Sequence, residues 1–277
     1  MELIGREELK TYFQKLAKKD NLAQAYLFFG EPGVGKFYFA KTLAAFLENG
    51  EFSFPPRRPL IETLIMDAGG ASSLGIELVK GLKNFLFQKP IVGAKRIAIL
   101  NEAENLTSQA ENAILKIVEE PPASSLIILV ASTPDRLSPT LLSRLQKIYF
   151  PPLEEETIEK ILIETLNLDV LKAKSLARDS FGRPSRALSL AADEKIKKIG
   201  RLARQFIQTE KTRKEIITEI AEAKETAQLF LTELMVLLGR EPVRQREKLK
   251  ATLECLTRIG QFNVNKRLQF EFLAASF

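Results

Sequence analysis

The sequence contains no histidine and a single cysteine, Cys255. Those two scarcities exclude a disulfide within the chain, a His-based catalytic triad and a zinc site built from Cys and His ligands. Long apolar runs are missing as well: no stretch approaches the roughly 18 apolar residues of a membrane span, and the opening MELIGREELK lacks the basic-then-apolar pattern of a secretory signal. No membrane contact and a cytoplasmic location are therefore expected. Cys255 lies in the periodic apolar stretch ATLECLTRIG, so it reads as a small packed thiol rather than a reactive one. Internal repeats and low-complexity tracts are absent too. What is present is a chain of 277 residues with 45% hydrophobic content, enough for two domains or for one with helical additions. Lys and Arg outnumber acidic residues 41 to 35, a formal charge of +6. That is either a mild lean toward anionic partners or an ordinary mixed surface, since the basic residues are not gathered into one block.

The first half alternates short apolar runs with amphipathic stretches, the pattern of an α/β domain with a mainly parallel sheet. Tyr26–Phe29, Leu64–Asp67, Arg96–Asn101, Leu126–Ser132 and Lys147–Phe150 read as strands. Between the third and fourth, Ser108 and Glu111 have capping-box spacing, and Ala110, Ala113, Ile114, Ile117 and Val118 share one helix face until Pro121-Pro122 stops it. From Leu153 onward the periodicity is helical throughout. Arg186–Ala192 closes a short helical unit, and Lys211–Gly239 carries Ile216, Ile217, Ile220, Phe230, Leu231 and Leu234 at helical spacing. Pro151-Pro152 marks one boundary and the polar stretch near Asp193 a weaker second one, giving segments 1–150, 151–194 and 195–277.

The first strand runs into Gly30-Glu31-Pro32-Gly33-Val34-Gly35-Lys36, and an amphipathic segment with Phe39, Ala40, Leu43 and Leu47 follows. Strand, glycine-rich loop and helix together form a phosphate-binding loop. Its glycines let backbone N–H groups turn toward phosphate oxygens, the helix N-terminus adds positive potential, and Lys36 reaches the outer phosphates. The next residue should be Ser or Thr, whose hydroxyl ligates magnesium, and it is Phe37. The strand that should end in Asp ends in Asn101, which lacks the negative charge that offsets Mg²⁺. Glu102 then stands either where a water-polarising carboxylate would act or as an ordinary acidic residue at a strand end. Two losses at one ion argue against hydrolysis, although Gly30, Gly33, Gly35 and Lys36 leave room for weak phosphate or nucleotide binding. No cofactor is required on this reading.

Ala25-Tyr26-Leu27-Phe28 before the loop, Asn112-Ala113-Ile114-Leu115-Lys116 leading to Glu119-Glu120-Pro121-Pro122, and PTLLSRLQ at Pro139–Gln146 resemble the bacterial clamp-loader family of AAA+ proteins over nearly the whole chain. The resemblance implies a RecA-like α/β domain, a three-helix lid and a C-terminal helical collar through which five subunits form a ring. Asn263-Val264-Asn265-Lys266-Arg267-Leu268 is similar to the family's collar signature. Ser143-Arg144-Leu145 replaces the usual Ser-Arg-Cys but keeps the arginine. Gly182-Arg183-Pro184-Ser185-Arg186-Ala187-Leu188 puts Ser185 at the position of the lid's sensor arginine, with Arg186 about 100° further round the helix. The four-cysteine zinc module of the family is missing, Asn49–Pro59 being too short and without cysteine.

A site stripped of hydrolytic parts but retaining Arg144 fits the family's non-hydrolysing, delta prime-type members. That likeness implies that Arg144 completes the ATP site of a neighbouring motor subunit. Implied partners are motor subunits and a delta subunit in a heteropentameric ring, and, through that complex, the sliding clamp and primer-template DNA. Lys80, Lys83 or Lys89 could touch DNA directly. Two other readings stay open. One is an ATP-hydrolysing motor that uses waters in place of Phe37 and Asn101. The other is an AAA+ DNA-binding regulator, for which the basic stretch Arg240–Lys250 offers a patch, interleaved by Glu241 and Glu247.

Overall fold

The computed structural model describes residues 4–67, 73–239, 241–262 and 264–277. Two compact units divide the chain, Met1–Leu188 and Ser189–Phe277. In the first, five strands alternate with helices: α1 (Glu7–Lys18), β1 (Ala25–Phe29), α2 (Lys36–Asn49), β2 (Thr63–Met66), α3 (Ile76–Leu86), β3 (Arg96–Leu100), α4 (Ser108–Glu119), β4 (Ser125–Ala131), the short α5 (Pro139–Leu142) and β5 (Gln146–Tyr149). The sheet order is β2-β3-β4-β1-β5 and every pairing is parallel, as in the register Ala25 to Ile127 and Tyr26 to Gln146. The expected α/β class with a parallel sheet is therefore the observed one.

Side-chain alternation explains why the three central strands read as unbroken apolar runs: both of their faces are buried. Ala25 and Leu27 of β1, Ala98 and Leu100 of β3, and Ile127 and Leu129 of β4 pack on one side with Val79 and Leu82 of α3 and Ile114 and Ile117 of α4. Tyr26, Phe28, Ile97, Ile99, Leu126 and Ile128 face the other side, against Phe13 of α1 and Phe39, Ala40 and Leu43 of α2. Phe28 is the hub of an aromatic cluster, with ring centroids 5.8 Å from Phe13, 5.8 Å from Phe39 and 5.1 Å from Phe150. Truncating such a ring to alanine costs about 3–5 kcal/mol. The edge strands β2 and β5 are only partly buried.

The capping residue of α4 differs from expectation. Thr107 is the N-cap, its hydroxyl accepting from Ala110 N, and Ser108 is the first helical residue. No capping box forms, because the Glu111 carboxylate instead accepts from Ser138 N at 2.5 Å and ties α4 to the turn before α5. The predicted apolar face holds, with Ala110, Ile114 and Ile117 fully buried and Ala113 and Val118 partly so. The connection from α3 to β3 is anchored by a buried ion pair, Arg96 to Glu62 at 3.0 Å, whose carboxylate also accepts from Ile91 N and Val92 N.

After β5 the first unit continues with α6 (Glu155–Leu166), α7 (Val170–Ser180) and α8 (Pro184–Ala192), and the division between the units falls within α8. Among the described residues beyond β5 there is no strand. The second unit holds α9 (Glu194–Gln208), capped by Asp193, α10 (Arg213–Ile220), α11 (Lys224–Leu238), α12 (Arg246–Gln261) and α13 (Lys266–Ala274). The periodicity read over Lys211–Gly239 is thus two helices, broken at residues 221–223. Their apolar faces join Ile199, Phe206, Ile259 and Phe270 in a separate core. Cys255 belongs to it, and burial pushes its thiol up to about 11, the state of an inert packed cysteine. No helix of the described residues is long and apolar enough to cross a membrane.

Candidate functional site

Parallel strands end on one edge of the sheet, and the loops leaving that edge are where open α/β sheets gather their ligands. Gly30 follows β1, Asp67 follows β2, Asn101 and Glu102 follow β3, and Ser132 follows β4. Gly30 can only be glycine: its φ is +144°, and a Cβ there would lie 2.4 Å from the Phe150 carbonyl oxygen. Gly33 and Gly35, at φ +82° and +95°, turn the loop so that α2 starts immediately after it.

These loops enclose a cavity of about 360 Å³, lined by Gly33, Gly35, Lys36, Phe37, Lys41, Asn101, Glu102, Glu104, Ser132 and Ser185. Lys36 is 5% exposed and is held by three acceptors, the carbonyls of Gly30 at 2.8 Å and Glu31 at 2.7 Å and the Ser132 hydroxyl at 3.1 Å. Burial lowers its pKa to about 8, with Glu104 and Glu31 opposing that shift. The Glu104 carboxylate accepts from Ser132 N at 2.8 Å, so Ser132 and Glu104 together position the lysine's far wall. Glu102 has left-handed backbone, φ +54°, and its carboxylate accepts from the Asn105 amide at 3.4 Å.

The two positions that would support a magnesium ion are differently employed. The half-buried Phe37 ring packs against the Lys41 ammonium, which sits 4.5 Å from its centroid and 4.4 Å from that of Phe54. The Asn101 amide donates to Asp67 Oδ1 at 2.9 Å, and Asp67 in turn attracts Lys41, partly offsetting the lowering of that lysine's pKa by burial. Loop geometry and Lys36 fit a phosphate group; Phe37 and Asn101 fit a magnesium ion poorly, because the ring offers no ligand and the amide only a neutral oxygen without the charge that offsets the ion.

At the start of α8, Ser185 N donates to the Gly33 carbonyl at 3.2 Å, and Arg183 donates through both Nε and Nη2 to Glu31 Oε2. Arg186 turns away and donates to the Asp179 carbonyl at 3.0 Å. A second, smaller and mostly apolar cavity, about 140 Å³, adjoins the loop and shares Gly35, Tyr38 and Ser185 with the first. Arg6 lines it, donating to the carbonyls of Val34 at 3.1 Å and Pro151 at 2.6 Å, with its pKa lowered by burial to about 10.

Arg144 lies apart from this cavity, two residues before β5. Leu145 anchors the segment in the core, while the guanidinium is 39% exposed, pairs with Glu119 at 2.9 Å and donates to the Thr140 carbonyl at 2.9 Å. Among the basic residues that could touch DNA, Lys80 pairs with Glu77 at 2.7 Å, Lys83 lies over the Phe87 ring, and Lys89 is exposed. In the stretch near 240, Arg240 lies outside the described residues and Arg244 pairs with Glu241. Asn263 also lies outside them, whereas Asn265 caps α13 by accepting from Leu268 N at 3.2 Å. Lys41, Asp67, Glu104 and Ser132 were not picked out by sequence reasoning. Two of the four, Asp67 and Ser132, share one available signal, a polar residue immediately after the C-terminal end of an apolar strand.

A family described as DNA polymerase III, delta subunit, matches residues 60–154. Curated relatives include the DNA polymerase III subunit delta' of Bacillus subtilis, 30% identical over 53% of this chain and 48% of that protein. The gamma/tau subunit of Mycoplasma pneumoniae is 29% identical over 62% of this chain and 26% of its own length. Replication factor C subunit 3 of Saccharomyces cerevisiae is 27% identical over 68% and 55%. The chain thus spans from about a quarter to just over half of these relatives. Among solved structures, a DNA polymerase III gamma subunit-related protein of Thermotoga maritima has TM-score 0.61 at 19% identity, covering 95% of this chain and 97% of that one. A RuvB point mutant from the same organism has TM-score 0.53 at 13% identity, covering 96% and 88%. At these identities the structural likeness speaks for the fold.

Proposed function

We propose that this chain, a clamp-loader-family AAA+ protein, serves as a non-hydrolysing subunit of the delta prime kind in a DNA polymerase III clamp loader. The observation that carries this reading is the replacement of both magnesium supports, with the Phe37 ring packed on Lys41 and the Asn101 amide donating to Asp67. A phenyl ring offers no ligand, and the neutral Asn101 amide, donating through its Nδ2 to Asp67, lacks the carboxylate charge that offsets the ion aligning the transferring phosphate. Hydrolysis is therefore assigned to neighbouring motor subunits, and this chain contributes Arg144 to the ATP site of one of them. An arginine suits that role because it stays charged and grips phosphate oxygens in a fork. Its partner in the isolated chain, Glu119, is about as exposed as Arg144 itself. Exchanging that solvent-screened carboxylate for a phosphate costs little.

The remaining partners follow from the same role: motor subunits and a delta subunit in a five-membered ring, with the sliding clamp and primer-template DNA reached through the complex. Residues 195–277 are assigned as the ring-forming collar and 151–194 as the lid. A second reading, a magnesium-dependent motor, is favoured by one retained feature, Lys36 in the phosphate loop. Mixing the purified chain with a gamma-type motor subunit distinguishes the two. The proposal expects a stable complex whose DNA- and clamp-stimulated ATPase exceeds that of the motor alone; failure to join or stimulate the motor contradicts it.

A further inference from the structure

The placement of Lys41 suggests more than the loss of a metal site. Its ammonium touches the ring of Phe37, one replaced magnesium support, and is attracted by Asp67, which accepts a hydrogen bond from Asn101, the other. It lines the same cavity as both residues that would have served the ion, together with Lys36 and the phosphate loop. The Phe37 and Phe54 rings hold it in place, a favourable setting for a cation. Lys36 is already held by the carbonyls of Gly30 and Glu31 and the Ser132 hydroxyl, whereas Lys41 lies against the two rings; Glu104 accepts from Ser132 N and Glu102 from the Asn105 amide, so Lys41 is the ammonium placed to meet an entering anion. The adjoining apolar cavity, sharing Gly35 and Tyr38, offers room for a flat ring beyond the phosphates.

We propose that this site takes a nucleoside polyphosphate without a divalent cation, the Lys41 ammonium supplying the charge that magnesium would otherwise bring. The same ammonium repels a divalent cation, so free nucleotide is preferred over its magnesium complex. Binding of this kind is structural: with no metal and no activated water, nucleotide is held and not turned over.

The inference rests on the non-hydrolysing reading above, and calorimetric titration of the full chain keeps the two separable. Expected results are binding of ATP in EDTA, severalfold weakening with excess magnesium, and weaker binding of tripolyphosphate. Lys41→Met should lose about tenfold or more, the worth of one charge-assisted contact, and with it the discrimination against magnesium. Lys41→Arg, which keeps the cation between the rings, should retain both, and so guards against a simple folding defect. No binding of ATP in EDTA, or binding that requires magnesium, overturns the proposal. Tripolyphosphate binding as tightly as ATP overturns its nucleoside part. Magnesium-dependent turnover by the pure chain would overturn the non-hydrolysing reading beneath it, whereas a chain that neither binds nor hydrolyses would sink this inference alone.

Discussion

Replacing Arg144 by alanine separates a role in the chain's own stability from a role in a neighbour's chemistry. In the isolated chain the guanidinium makes one ion pair, with Glu119 at 2.9 Å, and both side chains are about 40% exposed. Solvent screening limits such a pair to about 0–1 kcal/mol, so Arg144→Ala should lower Tm by no more than about 2–4 °C. An arginine supplied in trans is worth about 10³–10⁵ in phosphoryl-transfer rate, less when it is one of several in a ring, so the reconstituted complex should lose at least about tenfold in stimulated ATPase. Glu119→Gln is the informative companion. It breaks the same pair and costs the same small stability, but it releases the guanidinium, so the complex should keep its wild-type rate. Arg144→Lys should rescue poorly, because an ammonium keeps the charge and loses the fork. The assay is clamp- and DNA-stimulated phosphate release by complexes assembled from each variant, with sedimentation to check assembly. Wild-type rates with Arg144→Ala, or an equal fall with Glu119→Gln, would reduce the residue to a surface ion pair.

Other outcomes follow from the buried charges and the separate helical core. Lys36 is lowered to about 8 in the folded chain against about 10.4 when unfolded. Between those values the unfolded chain binds a proton that the folded chain has released, so stability should rise with pH, by up to about 3 kcal/mol. Urea unfolding of Lys36→Met should lack that rise. The Glu62 carboxyl is desolvated by burial, yet the N–H groups of Val92 and Ile91 and the Arg96 guanidinium outweigh that and hold it below the usual range. Its stabilisation is present above the unfolded carboxyl's pKa and lost as pH falls through the folded value; Glu62→Gln should flatten that acid-side loss. Deleting residues 195–277 should leave circular dichroism of a folded α/β unit and abolish entry into the ring; full-affinity assembly by the truncated chain would contradict the collar assignment.

The strands were legible because burial on both faces makes β1, β3 and β4 nearly pure apolar runs, and each was placed to within about a residue. Finer features were decided by contacts that a linear reading does not contain. Thr107 and Ser108 are chemically equivalent caps, and the choice fell to Thr107 because Glu111, the partner a capping box needs, is drawn to Ser138 N. The break between α10 and α11 falls at Ala221-Glu222-Ala223, with no Pro or Gly to announce it. In the site, the phosphate loop and the altered Phe37 and Asn101 stood out by position. Nothing in the linear pattern singles out Lys41 or the strand-end Asp67, and only the meeting of α2 with the ends of β2 and β3 brings them together beside Phe37 and Asn101.

The central claim, that this chain holds a phosphate loop without the means to use magnesium, is tested most directly by steady-state phosphate release from the purified chain alone with saturating Mg-ATP, alongside Lys36→Ala. The account predicts release indistinguishable from buffer and no difference between the two proteins. Magnesium-dependent release by the wild-type chain that disappears in Lys36→Ala would contradict it and make the chain a motor.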